Sequence, residues 1–268
     1  YADSEKLANE AATAAFAEVE RLNAILSDYD AESELSRLSE TSGSGRHFPL
    51  SDDLFAVLDA SQNLSRQTEG AFDVTIGPSV RLWRIARFRK SLPVPEKLAE
   101  ARKAVGFRHL DISNAKHTAF LEVPNMVLDL GGIAKGYVAE KALMVLGKRG
   151  IGSVLVDAGG DLVLGDPPPG RKGWRIEIGG LKHPDLPVLE LARCAVATSG
   201  DVEQFVEIAG KRYSHLIDPS TGIGLTMGIQ VTVVSSTGIR ADSLASALSV
   251  LGTERGTKFV QKLSGVRA

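Results

Sequence analysis

An acid, two glycines and a lysine share seven consecutive residues, Asp129-Leu130-Gly131-Gly132-Ile133-Ala134-Lys135. The apolar run ending at Leu130 reads as a buried strand, and the periodic segment 133–148 reads as a helix. A strand that opens into a helix through glycines leaves backbone N–H groups without intrahelical partners. The helix dipole favours negative charge there, so the bend reads as an anion site. Lys135 adds a positive charge and Asp129 a carboxylate, which together suit a nucleotide held with a metal. The spacing is not that of a Walker A loop, nor of the dinucleotide G-x-G-x-x-G. Taken alone, the segment fits a tight turn with a surface lysine equally well.

Asp242 and Ser246 lie four apart near the start of a helix expected over 241–251, and so share one face. A carboxylate and a hydroxyl make a hard oxygen pair suited to Mg²⁺, which takes few protein ligands. The plainer alternative is an acid near an N-cap followed by a small helix residue. His215 lies inside an alternating segment, Tyr213-Ser214-His215-Leu216-Ile217-Asp218-Pro219, where a lone histidine is more often structural than catalytic. Phe72-Asp73 offers an aromatic edge and a carboxylate for a heterocycle, or else a strand residue and a turn-capping acid. No G-x-S-x-G elbow supports Ser-His-Asp hydrolysis, and no paired His/Cys spacing suggests zinc.

These residues need a scaffold, and 268 residues with 43% apolar content supply one large domain or two small subdomains. Helices are expected over 4–26, 32–38, 51–68, from 79, over 97–105, 133–148, 241–251 and 254–263. Ser51-Asp52-Asp53 gives the third of these an N-cap signal. A Ser/Gly loop covers 41–46. Strands are expected over 71–78, 109–112, 119–122 and 127–130, the last three as a meander leading into the glycine bend. Further strands are expected over 153–157, 174–178, 188–191, 194–198, 205–208, 212–217 and 230–234. The segment 128–157 then reads as a strand-helix-strand unit, both strands ending at glycine pairs flanked by Asp129, Asp157 and Asp161. Ligands gather outside such strand ends. Ser199-Gly200-Asp201 reads as a turn.

Net charge is −2, with lysines and arginines scattered, so no basic stripe suits a nucleic acid. The local cluster Arg81 to Lys90 includes Leu82, Trp83, Ile85 and Phe88 and reads as a solvated amphipathic segment. Cys194 is the single cysteine, so no internal disulfide can form. No stretch reaches the length of a membrane span, and the polar opening residues are not a signal peptide.

Taken in order, the motifs resemble those of the ApbE family of FAD:protein FMN transferases. They are Leu26 to Leu38, Ala71-Phe72-Asp73-Val74-Thr75-Ile76-Gly77-Pro78, Leu128 to Tyr137, Asp157 to Asp161, Ala197 to Asp201, Tyr213 to Gly222, and Ala241 to Leu248. The resemblance spans nearly the whole chain. It implies an α+β fold with two intimately packed subdomains and a flavin-nucleotide cleft between them. It implies Mg²⁺-dependent cleavage of FAD, with FMN passed to a Ser or Thr hydroxyl of an acceptor protein and AMP released. By position, Asp242, Ser246 and the carbonyl of Gly132 are similar to metal ligands. Tyr29, Ala71, Phe72, Asp73, Asp129, Lys135, His215 and Leu216 are similar to flavin-binding positions. His215 is also the candidate base for the acceptor hydroxyl, beside Asp242 in the catalytic set.

Ser246 stands where family members often carry Thr, and keeps the hydroxyl. The family's first Met-Gly-Thr strand and its final strand have no counterpart in residues 1–268. An exported location, periplasmic or anchored outside the cytoplasmic membrane, follows from the family alone. Hydrolysis of FAD to FMN and AMP, or flavin binding without turnover, are the alternative activities.

Overall fold

The computed structural model describes residues 1–179, 185–200 and 205–268. In chain order its elements are α1 (Glu5–Leu26), α2 (Glu34–Glu40), β1 (Phe48–Pro49), α3 (Asp52–Gln67), α4 (Gly77–Arg89), α5 (Pro95–Arg102), β2 (Leu110–Ser113), β3 (Thr118–Leu121) and α6 (Ala134–Lys148). They continue with β4 (Leu155–Asp157), β5 (Leu162–Leu164), β6 (Trp174–Glu177), β7 (Val188–Leu191), β8 (Cys194–Gly200), β9 (Phe205–Ile208), β10 (Lys211–Ser214), β11 (Ile217–Asp218), β12 (Ile223–Gly224), β13 (Gln230–Ser235) and α7 (Gly238–Val260).

The first three helices start at serines. Ser4, Ser33 and Ser51 accept through Oγ from Leu7, Ser36 and Leu54 N–H at 3.2, 3.0 and 3.3 Å, each satisfying an otherwise unpaired first-turn donor. Gly252, at φ 72° and ψ 176°, breaks α7 near the point where the sequence separates two helices.

The main sheet runs β13-β8-β5-β4, with every pair antiparallel. Side chains alternate across it. Val163, Ala195, Ala197 and Val233 point into the main core with Leu244 and Leu248 of α7 and Ala139 of α6. Leu164 and Val196 point the other way and pack with Ile176 of the β6–β7 hairpin. So α6 and α7 cover one face of the sheet and α1 lies against α6. A buried carboxylate ties the outer helices to that layer: Asp53 of α3 accepts from Tyr137 Oη at 2.6 Å and from Arg21 at 2.7 Å. A separate apolar cluster joins Trp83 and Ala86 of α4 to Val206, Ile208, Tyr213 and Ile217.

The mixed helix and sheet class is as expected, but two of the expected strands are not strands. Segments 71–78 and 127–130 meet only at a parallel bridge, Ile76 with Val127, and through Asp129 N–H to the Val74 carbonyl at 2.8 Å. The reason lies in their donors. Met126 and Leu128 N–H donate to Ser42 and Ser39 Oγ at 2.7 and 3.1 Å, leaving less for a ladder. The meander is corrected with them: β3 pairs with β2 on one side and on the other with β1, not with 127–130. The strand-helix-strand unit also falls, because β4 is the edge of an antiparallel sheet and has no parallel partner. The expected turn at Ser199–Gly200 is the end of β8, paired with β13, while Asp201 lies outside the described residues.

Candidate active site

Helices α6 and α7 touch backbone to backbone. A Cβ on Gly136 would stand 2.1 Å from the Gly238 carbonyl oxygen, and one on Gly238 would stand 2.1 Å from the Gly136 carbonyl oxygen. No other residue type permits this approach. Glu140 of α6 accepts from Gly238 N–H at 2.9 Å and so caps the start of α7. The crossing carries Asp242 onto the first turn of α6, where its Oδ2 accepts from Gly136 N–H at 3.0 Å.

That contact revises the expected anion site. The negative group at the N-terminus of α6 is the protein's own Asp242 carboxylate. Nor do the bend's glycines serve a left-handed turn, since neither Gly131 nor Gly132 has positive φ. They serve closeness. A Cβ on Gly132 would lie 2.9 Å from Ser246 Oγ and 3.5 Å from the Phe72 ring, and one on Gly131 would lie 3.0 Å from Asp129 Oδ1. Gly132, Asp242 and Ser246, far apart in sequence, therefore share one location. Ser199 Oγ joins them at 3.4 Å from Ser246 Oγ.

Asp242 is only 2% exposed. Burial, reinforced by the nearby Asp161 charge, pushes its carboxyl up to about 7, against the pull of Lys135 and the α6 N–H groups. Lys135 pairs with Asp161, a residue of the β4–β5 turn that is 3% exposed. Burial pulls the lysine down, but Asp242, Asp161 and Asp157 more than offset it and leave its pKa raised. The sequence marks Asp161 only as a residue flanking glycines. Its role emerges because the turn's Gly159 and Gly160, at φ 70° and 96°, fold the chain back toward Lys135.

A second, more exposed group of residues, which we call the mouth, reaches the glycine bend through Asp129. The Tyr29 ring is 81% exposed, and the Arg84 guanidinium stacks over it at 4.4 Å. Arg84 also reaches Asp28 at 2.7 Å and Asp129 at 3.3 Å. Asp129 in turn accepts from Gly131 N–H at 2.8 Å. Burial and the Asp28 charge raise the Asp129 carboxyl, opposed by the Gly131 N–H and Arg84. Arg84 is missed by the sequence reading, which places it in a solvated amphipathic segment.

Ala71 is half-buried and Phe72 is buried, 6% exposed, beneath Gly132. The Asp73 carboxylate faces inward. It accepts from Thr75 N–H and Oγ1 at 2.8 and 2.7 Å and from Phe107 N–H at 2.8 Å. The structure thus gives its side chain the turn-capping role. His215 and Leu216 form the half-buried bend between β10 and β11, not the interior of a strand. Trp83 Nε1 donates to the Ser214 carbonyl at 3.0 Å and pins the start of that bend. Leu216 and Ser214 line a small cleft with Gly200 and Ser249, one turn along α7 from Ser246. A larger cavity of about 520 Å³ lies elsewhere, lined by Leu186, Leu189, Gln230, Thr232 and Arg267, and none of the candidate residues borders it.

The ApbE family model matches residues 2–268. The chain belongs to the ApbE family. A relative from Vibrio cholerae, named FAD:protein FMN transferase, is 34% identical over 89% of this chain and 72% of its own length. One of that name from Escherichia coli K12 is 30% identical over 89% of this chain and 70% of its own. Among solved structures, a mutant of the flavin transferase ApbE from Vibrio cholerae superposes with a TM-score of 0.84 at 35% identity, over 97% of this chain and 82% of that one. The ApbE protein from Thermotoga maritima gives 0.83 at 28% identity, over 94% and 82%. The α6–α7 crossing brings together two of the segments that carry the resemblance, Gly131 to Gly136 and Asp242 to Ser246.

Proposed function

We propose that this chain is an FAD:protein FMN transferase that works at the α6–α7 crossing. The observation that carries the reading is the meeting of Gly132, Lys135, Asp242 and Ser246, from two segments about a hundred residues apart, around the buried Asp242 carboxylate. The names of the relatives support the same chemistry. In the reaction, an acceptor Ser or Thr oxygen forms a bond to the FMN phosphorus. The bond from that phosphorus to the bridging oxygen breaks, AMP leaves with that oxygen, and the acceptor proton passes to a base.

The residues suit Mg²⁺. Asp242 is a buried carboxylate whose ionised form is disfavoured by burial and by Asp161, so a cation beside it is stabilising. Among the described residues no group of three or more His, Cys, Asp or Glu is placed to hold a metal. The candidate donors are a carboxylate, a hydroxyl and a backbone carbonyl, an all-oxygen set that suits a hard ion over zinc. Asp242, Ser246 and the Gly132 carbonyl would hold it, and when bound it supplies neutralisation of diphosphate charge.

The chain's own residues do the rest. Lys135, held by Asp161 at the same location, offsets charge on the phosphates. Tyr29 offers an exposed ring for stacking, and Phe72 closes the floor under Gly132. His215 is assigned as the base for the acceptor hydroxyl, on a bend fixed by Trp83. On family resemblance we assign the reaction to the outer side of the cytoplasmic membrane. Among the described residues no helix is long and apolar enough to cross a membrane.

Mass spectrometry of an acceptor incubated with the enzyme, FAD and Mg²⁺ tests the reading. The acceptor should gain the mass of FMN less water. Release of free FMN with an unmodified acceptor would instead make the protein a hydrolase, and absence of both products would leave a binding protein.

A further inference from the structure

We propose that Arg84 is a positioning residue for the FAD ring system: its guanidinium holds the Tyr29 ring in a preset orientation and offsets the negative charge of Asp28 and Asp129. This rests on the function proposed above and adds a residue to it.

The backbone around Tyr29 is well fixed. Tyr29 N–H donates to Ser27 Oγ at 3.2 Å, Ser33 Oγ donates to the Ser27 carbonyl at 2.6 Å, and Glu32 N–H donates to Asp30 Oδ1 at 2.9 Å. The ring is not, since with 81% exposure little apolar surface packs on it. Its observed contact is the Arg84 guanidinium at 4.4 Å. Arg84 is itself held at two points, by Asp28 at 2.7 Å and Asp129 at 3.3 Å. Asp129 is held by Gly131 N–H at 2.8 Å. A continuous chain of contacts therefore runs from the glycine bend, through Asp129 and Arg84, to the Tyr29 ring.

Two consequences follow for a dinucleotide. A ring already oriented loses less rotamer freedom when an aromatic ligand stacks on it, which strengthens binding without a new contact. Two carboxylates at the mouth would repel an anionic substrate, and the guanidinium offsets part of that field. Both acids are met by one nitrogen, Nη2, so a lysine could supply that charge, but it lacks the planar guanidinium that lies over the ring. The next side chain toward the N-terminus, Trp83, fixes the His215 bend. One turn of α4 thus supports both sides of the site.

The test compares Arg84→Met, Arg84→Lys, Tyr29→Leu and the Arg84→Met/Tyr29→Leu double variant with the wild-type chain. The measurements are KM for FAD, kcat, quenching of flavin fluorescence on binding, and melting temperature. Arg84→Met should raise KM for FAD about tenfold with kcat within about threefold, and should weaken the quenching. Arg84→Lys should lie nearer to Arg84→Met than to wild type. In the Tyr29→Leu background Arg84→Met should cost less than it does alone, because both act on one surface. Wild-type KM in Arg84→Met, losses that simply multiply in the double variant, or a loss explained by lowered melting temperature would each overturn the proposal. Those outcomes leave the function standing as long as wild type transfers FMN. Failure of wild type to bind FAD would remove the function and this role with it.

Discussion

The two ends of the site are built in opposite ways. At the α6–α7 crossing, backbones touch through Gly136 and Gly238, and Asp242 is 2% exposed. At the mouth, an exposed Tyr29 ring and a half-exposed Arg84 are held by ionic and cation–π contacts. The first end is part of the core, so its geometry is as rigid as the packing around it. The second is built onto a finished surface and can change without disturbing the fold. Positioning phosphates and a metal to a fraction of an ångström suits the former, and admitting and releasing a large ring suits the latter.

Asp242→Asn tests the deep end most severely. It keeps the shape but removes the charge, and should lower FMN transfer about 10³-fold while the circular dichroism spectrum is unchanged. A variant retaining more than a tenth of wild-type rate would remove Asp242 from the chemistry. Gly136→Ala should destabilise the fold by about 3 kcal/mol in urea denaturation, since its new methyl meets a carbonyl oxygen and not a yielding side chain. Arg84→Met leaves the largely buried Asp28 and Asp129 carboxylates without their cation and should cost about 1 to 2 kcal/mol, less than Gly136→Ala. Equal costs at the two positions would break the contrast.

A pH series sharpens it. The Asp242 carboxyl is raised from its ordinary range to about 7 in the fold. The folded state therefore holds that proton more tightly than the unfolded chain does. The stability it contributes is complete below about pH 4, the unfolded value, and is lost as pH rises through about 7. In metal-free protein, urea denaturation should show this decline, and Asp242→Asn should flatten it. Mg²⁺ competes with the same proton, so half-saturation should need about tenfold more Mg²⁺ for each pH unit below 7. Trp83→Phe removes the bond to the Ser214 carbonyl and part of a fully buried ring, and should cost about 2 kcal/mol in thermal melting.

Local chemistry explains which features were legible. Ser51 before two aspartates announces a helix start, and its Oγ caps that helix. Asp242 and Ser246, four apart, fall on one face of α7 because helical periodicity leaves no alternative. Segments 71–78 and 127–130 fail as strands because side chains take their donors: Ser39 Oγ takes Leu128 N–H, and Thr68 and Asp73 take those of Phe72 and Thr75. Arg84 looks like any arginine in a basic run until α4 is docked beside Asp28 and Asp129. Asp161 likewise is only a turn residue until the hairpin folds back onto Lys135.

By itself the sequence determined the order of the helices, the motifs that mark the family and the residue types that we propose grip a diphosphate. These depend on periodicity, capping and composition, all of which act over a few residues. Only the tertiary structure decided that the α6 N-terminus receives Asp242, that the bend's glycines exist for closeness, and that an arginine of α4 steadies the mouth. Those outcomes depend on which surfaces meet across a hundred residues of chain. That is settled by packing and burial acting on the whole fold at once.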